Sequence, residues 1–266
     1  MIRIIQLLLL PLFMLATMVS CSSQSHSTAG MHLAPEGKGC AHQSTRILLT
    51  GDSLMESLGP QMQKAMTGYK NITLRPIGKR STGLSRPDYY NWPKVLEENL
   101  ISFRPQIVVM WVGTNDPQNI YGHKDLGEPL SDAWKNAYTM KLQEIRNLCK
   151  KYKAKLIFIG PPAVAEESLD AQLLQIEKLM FRFCRRYDVG YVSSRYVLGD
   201  RKGRYLHQKR MPDGRMANIR WNDRVHITGD GNRLMMNYLL PYIGTGISGT
   251  PSKPRGGMLS QNQNAF

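Results

Sequence analysis

The sequence predicts an α/β protein, a three-layer α/β/α sandwich around a central parallel sheet of about five strands. Three observations carry that reading. Over residues 46–242, short runs rich in β-branched and apolar residues alternate with longer segments of helical spacing, the order that builds a parallel sheet through right-handed crossovers. The run QIVVMWV, 106–112, is apolar almost throughout, as a strand covered on both faces must be. The polar stretches leave the strand ends, where sheets of this kind bind ligands.

The elements follow in order. The first strand, 47–50, runs into Gly51-Asp52-Ser53, and from Leu54 the apolar spacing becomes helical over 54–66, so Ser53 falls where a strand hands over to a helix. A second strand, 72–77, leads through a polar loop to a helix starting near Trp92. After the central strand comes a long amphipathic helix over 132–152, then a strand over 155–160. A helix over 168–187 precedes a short strand at 191–193, and the last helix covers 228–242.

The flanks are different in kind. Residues 1–20 read as an export signal, with Arg3 ahead of an apolar run broken by Pro11; the run is shorter than the roughly 20 residues of a spanning helix. Met18-Val19-Ser20-Cys21 resembles a bacterial lipobox, with Met18 where leucine is usual. Cys21 is therefore the expected lipidation site, and the expected location is the periplasmic side of a bacterial cell envelope, anchored by lipid to a membrane. A plain cleaved signal and a retained anchor are the alternatives. Residues 21–43 read as a flexible tether, 44–243 as the folded domain and 244–266 as a disordered tail. His26, His32 and His42 are scattered along the tether and no metal-ligand spacing occurs, so neither metal nor cofactor is expected. Cys149 and Cys184 lie in helical patterns and read as buried free thiols, although an oxidising periplasm also permits a disulfide.

The net charge of +15, from 35 Lys and Arg against 20 Asp and Glu, draws an exported protein toward anionic glycans, lipid head groups or teichoic-like polymers. Export takes it away from nucleic acid. The densest basic stretch comprises Arg201, Lys202, Arg204, Lys209, Arg210, Arg215, Arg220 and Arg224. It reads either as an insertion that meets a polymer or membrane surface or as a solvated loop.

An Asp-Ser pair before a helix is, alone, an ordinary N-cap. Its company downstream gives it more meaning. GDSLM at 51–55, STGLSRPD at 81–88 and GTNDPQ at 113–118 each follow a strand, and NDRVH at 222–226 precedes the last helix. Together and in this order they resemble the four blocks of the SGNH hydrolase superfamily, the GDSL esterases, over about 46–242; STGLSRPDYYNWP is most similar to an exported branch of it. The resemblance implies a flavodoxin-like SGNH hydrolase fold over the folded domain and a serine esterase or acyltransferase activity. Ser53 would be the nucleophile, His226 the base that takes its proton, and Asp223 the acceptor that fixes the imidazole. The backbone N–H groups of Ser53 and Gly83 and the side-chain amide of Asn115 would form the oxyanion hole.

The residues support these roles separately. An offset of three puts Asp223 and His226 on one side of a turn of chain, and glycine at 83 lets backbone approach a substrate closely. Gly83 and Asn115 also read as ordinary turn residues. Asp52 and Asp116 read as loop-stabilising acceptors or as substrate-binding groups. Arg86 reads equally as an anchor for an anionic or hydroxyl-rich substrate and as a donor to a loop carbonyl. Trp92, Trp111 and Trp221 offer sugar-stacking faces or buried packing.

The expected function is thus a cell-envelope serine esterase or acyltransferase that removes or transfers a small acyl group, O-acetyl above all, on a glycan. The glycan rests on export, charge and family analogy. Expected partners are an acylated glycan or other ester, a membrane-bound acyltransferase and the membrane itself. The alternatives are a non-catalytic envelope lipoprotein that binds glycan or an acyl-transfer partner, and a lipase for long acyl chains.

Overall fold

The computed structural model describes residues 44–244 apart from Lys124. The expected signal, the lipidation site at Cys21, the tether and the tail beyond its first residue lie outside these residues.

Five strands, β1 (Thr45–Gly51), β2 (Ile72–Gly78), β3 (Ile107–Trp111), β4 (Lys155–Ile159) and β5 (Gly190–Val192), form one parallel sheet in the order β2-β1-β3-β4-β5. Among the described residues six helices accompany them: α1 (Ser53–Ala65), α2 (Trp92–Ser102), α3 (Asp132–Lys151), α4 (Glu167–Tyr187), α5 (Ser194–Leu198) and α6 (Gly229–Gly244). The three-layer sandwich expected from the sequence is the one observed.

Strand alternation divides the core into two faces. Val108 and Met110 of β3 and Leu156 and Phe158 of β4 point to one side, where they pack with Trp92, Leu96, Trp134, Tyr138 and Met180 of α2, α3 and α4. Ile107, Val109 and Trp111, with Ile157 and Ile159, point to the other, against Leu54, Leu58, Met235 and Leu239 of α1 and α6. Strands covered on both sides have no polar face, which explains the unbroken apolar run around β3. Helix starts are set by side-chain caps: Asn91 accepts from Lys94 N, and Ser131 Oγ from Trp134 N. The helix placed at 168 begins one residue earlier, because Glu166 accepts from both Ser168 N and Leu169 N.

The chain runs outward from β1 to β2, then returns past β1 to β3. That reversal opens a crevice beyond the carboxyl ends of β1 and β3, the place where doubly wound sheets hold ligands.

The basic stretch is built into the fold. It contains an antiparallel hairpin, β6 (Gln208–Arg210) with β7 (Met216–Asn218), absent from the sequence reading. Arg204 pairs with Asp200, and Arg215 with Asp213 and Asp230. Lys209 Nζ donates to the carbonyls of Val197 and Gly199. Arg220 is buried, with only 1% of its surface exposed. Cys149 and Cys184 are free and buried, not joined, and burial pushes both thiols up to about 12. Among the described residues, no helix is long and apolar enough to cross a membrane.

Candidate active site

The crevice begins at Gly51. Its φ of +151° and its contact with the Trp111 backbone leave no room for a Cβ, so β1 and β3 close tightly at their ends. Asp52 N–H donates to Trp111 O at 2.9 Å, and Asp52 Oδ1 accepts from Leu54 N at 2.9 Å. With Asp52 held from both sides as N-cap of α1, Ser53 becomes the first helical residue and projects, half-buried, over the sheet edge.

His226 arrives from the far end of the domain on a short clasp before α6. A bridge between Arg220 and Ile227 closes it, Trp221 N–H donates to His226 O at 3.0 Å, and Arg224 N–H to Trp221 O at 2.9 Å. Within the clasp Asp223 serves two purposes. Its Oδ1 accepts from Val225 N and His226 N, each at 2.9 Å, while Oδ2 lies 2.8 Å from His226 Nδ1. An acceptor at Nδ1 places the ring proton there and leaves Nε2 to accept from Ser53 Oγ, 2.8 Å away. Burial pulls the Asp223 carboxyl upward, but the bonds from Val225 and His226 outweigh it and hold the group below the usual carboxylate range. Asp223 does not cap α6, which starts at Gly229.

The loops after β2 and β3 are laced together beside this pair. Asn115 Nδ2 donates to Thr82 O at 2.9 Å, which fixes the amide and leaves its second N–H for another acceptor. Thr82 Oγ1 accepts from Trp92 Nε1 and donates to Lys79 O. A Cβ on Gly83 would fall on the Asp116 carboxylate, so only glycine allows the two loops to pack this closely. Asp116 Oδ1 accepts from Ser85 N at 2.8 Å, and Oδ2 from Tyr138 OH at 2.7 Å. Ser53, Asn115, Asp223 and His226 line one cleft of about 480 Å³. Gly83 is buried and is not among the residues that line it.

Other expectations need correction. Asp52 and Asp116, entertained as substrate-binding groups, are both 0% exposed and serve the loops instead. Burial pushes the Asp52 carboxyl up to about 7, with the charge of Asp116 adding to the rise; burial likewise raises Asp116, against its bonds from Ser85 and Tyr138. Arg86 forms two bonds, 2.9 and 2.7 Å, to the carboxylate of Asp88 and does not line the cleft. Trp92 and Trp111 are wholly buried, with their indole N–H groups on Thr82 Oγ1 and Gly160 O. Trp221 lines the cleft and is 58% exposed.

Glu56, Arg80 and Arg220 stand at the site without having been expected there. Glu56 lines the cleft one helical turn beyond Ser53 and is paired with Arg80; the i+3 spacing from the nucleophile was the available signal. Arg220 reads in the sequence as one of many surface cations. Its Nη1 donates to Val225 O at 2.9 Å and its Nη2 to Ala163 O at 3.0 Å, so it ties the clasp to the loop after β4. Burial lowers this guanidinium to about 10. No local signal in the sequence marked it, because its two acceptors belong to separate loops.

The family model described as protein of unknown function, DUF459, matches residues 46–242. The chain belongs to the DUF459 family. No curated protein matches the sequence. Solved structures resemble this DUF459 domain in fold. A GDSL-like lipase from Bacteroides thetaiotaomicron is 17% identical, with a TM-score of 0.52 over 76% of this chain and 89% of its own. An acetylxylan esterase from Geobacillus stearothermophilus is 15% identical, with a TM-score of 0.53 over 76% and 95%. A carbohydrate acetylesterase family member from Sinorhizobium meliloti is 15% identical, with a TM-score of 0.52 over 76% and 98%. The Geobacillus esterase has been solved as catalytic mutants at a serine, an aspartate and a histidine, the last two separated by three positions. The fold of the DUF459 domain is therefore an α/β fold of SGNH-hydrolase type, with a five-stranded parallel sheet and flanking helices.

Chemically, the arrangement in the DUF459 domain combines a hydroxyl, a base oriented by an ionised carboxylate, and fixed donors nearby. Such a set can transfer a proton away from Ser53 as its oxygen attacks an electrophilic carbonyl. It can also return that proton to a leaving alcohol.

Proposed function

We propose that this DUF459 protein is a serine esterase or acyltransferase that removes or transfers a small acyl group, O-acetyl above all, on a cell-envelope glycan. The observation that carries the reading is the unbroken relay from Ser53 Oγ through His226 to Asp223, with 2.8 Å at each step. Ser53 attacks the ester carbonyl while His226 Nε2 takes its proton, and Asp223 stabilises the imidazolium. The tetrahedral oxyanion is met by the N–H groups of Ser53 and Gly83 and the free N–H of Asn115. His226 then protonates the departing sugar oxygen, which leaves an acetyl group on Ser53. Water or a second sugar hydroxyl, deprotonated by the same imidazole, releases it; the first is hydrolysis and the second transfer.

Support for the substrate comes from two sides. The structural relatives include proteins named as acetylxylan and carbohydrate acetylesterases. A start that reads as an export signal, ending in the lipobox-like Met18-Val19-Ser20-Cys21, supports a site of action in the envelope. The test is acetate release from 4-nitrophenyl acetate and from acetylated oligosaccharides, with and without a free oligosaccharide as acceptor. Ser53→Ala should abolish both release and transfer. No turnover of any short ester, together with no labelling of Ser53 by a fluorophosphonate, would replace this reading with a binding lipoprotein.

A further inference from the structure

We infer that the cleft beside Ser53 is built for a neutral, hydroxyl-rich sugar ring rather than for a polyanion or a long acyl chain. In this assignment Trp221 is the stacking platform and the Glu56–Arg80 pair is the polar clamp. The inference rests on the esterase reading for its chemistry and on the cleft lining for its specificity.

A chain of net charge +15 points at first to an anionic ligand. The cleft contradicts that expectation. Its charged lining residues are two carboxylates, Glu56 and Asp223, and one guanidinium, Arg80. Arg80 is already engaged: Nε lies 3.3 and 3.1 Å from the two Glu56 oxygens, and Nη2 lies 3.2 Å from Oε1. Arg80 and Glu56 cancel, so a polyanion entering here finds no uncompensated cation, and the remaining carboxylate, Asp223, opposes it. Within the basic stretch, Arg204 is held by Asp200 and Arg215 by Asp213 and Asp230, while Lys209 and Arg220 donate to backbone carbonyls.

The same lining suits a sugar. Trp221 is pinned at both backbone ends, its N–H on His226 O and its C=O on Arg224 N–H, yet its side chain is exposed beside the catalytic histidine. A rigid indole presents a flat, electron-rich face, which attracts the weakly positive C–H face of a pyranose. Glu56 and Arg80 offer adjacent acceptors and donors, the pairing that vicinal hydroxyls require. Ser81 adds a hydroxyl from a backbone held at φ +61°, a conformation that non-glycine residues adopt at some cost. Apolar lining is limited to Trp221 and Ile227, enough for a ring face and a methyl but not for a long chain.

The decisive experiment compares kcat/KM on acetylated xylo-oligosaccharide, acetylated oligouronate, 4-nitrophenyl acetate and 4-nitrophenyl octanoate. The neutral sugar ester should exceed the uronate ester by at least tenfold, and acetate should exceed octanoate. Trp221→Ala should lower kcat/KM at least tenfold more on the sugar ester than on 4-nitrophenyl acetate, chiefly through KM, and Trp221→Tyr should restore most of it. Preference for the uronate or octanoate ester, or an equal loss on both acetyl esters in Trp221→Ala, would overturn the inference. Calorimetric titration of Ser53→Ala with neutral and uronate oligosaccharides decides the subsite independently of turnover. Binding of the neutral sugar that Trp221→Ala removes supports it, and uronate binding alone refutes it. Failure of the esterase reading is visible separately, as inertness toward 4-nitrophenyl acetate.

Discussion

The imidazole of His226 stands 2.8 Å from the hydroxyl of Ser53, although the two are 173 positions apart in the chain. One comes from the end of β1 and the other from the clasp before α6, and they meet where α6 packs beside α1, with Asn232 Nδ2 donating to Ser57 Oγ at 2.8 Å.

Removing either member should stop the chemistry. Ser53→Ala and His226→Ala are each expected to lower kcat by about 10⁴ or more, and the double variant should be no worse, because the two act as a unit. Steady-state kinetics on 4-nitrophenyl acetate checks this, and additive losses would deny the relay.

Asp223→Asn separates the two tasks of that side chain. The amide oxygen still accepts from Val225 N and His226 N, while the NH₂ group confronts Nδ1 and imposes the wrong tautomer. The expected result is an unchanged thermal midpoint with kcat lowered by about 10⁴.

Asn115→Ala removes one donor to the oxyanion. A loss of about 10² to 10³ in kcat, or about 2.7–4 kcal/mol, is expected with KM nearly constant. Equal kcat values in the two proteins would remove Asn115 from the mechanism.

Arg220→Met strips two carbonyls of their donor, the part-buried Val225 O and the buried Ala163 O. Each buried polar group left unsatisfied costs about 1–3 kcal/mol. Urea unfolding should show the loss, and kcat should fall more than KM rises, as the clasp that aims His226 loosens. Arg220→Lys, able to reach one carbonyl, should recover part of both.

Asp52 makes stability depend on pH. The folded protein keeps the Asp52 proton up to about 7, whereas the unfolded chain releases it near 3.8. Between those values the native state binds more protons, so this group's contribution to stability falls as pH rises and the loss is complete above about pH 7. With about 1.36 kcal/mol for each pH unit that separates the two values, the change amounts to a few kcal/mol. Asp52→Asn, which still accepts from Leu54 N, should remove this slope. Urea midpoints of the two proteins between pH 4 and 8 give the comparison, and parallel curves would refute it.

Much of this was legible from the sequence because local patterning and global position agree. Alternation of apolar runs gave β1 to β5 and the helices between them, and the resemblance of the four blocks to SGNH hydrolases pointed to Ser53, Asn115, Asp223 and His226, which line one cleft. What escaped was tertiary. Nothing local distinguishes a buried Arg220 from its solvated neighbours; its partners, Val225 O and Ala163 O, belong to two separate loops. The hairpin of β6 and β7 has three residues per strand, too few for a period to show. Asp52 and Asp116 looked available for substrate because burial depends on how three loops close over them.

The forked grip of Asp223, one oxygen on the backbone and the other on the ring, makes chain length at this spot the quantity least open to variation. Adding or deleting a residue between 223 and 226 disrupts the turn and the aim of the base in a single event. At the turn joining β6 to β7, by contrast, extra residues have only solvent to fill. Insertional scanning of the DUF459 domain should therefore find an abrupt boundary within its last third, tolerant around Gly214 and silent a few positions later.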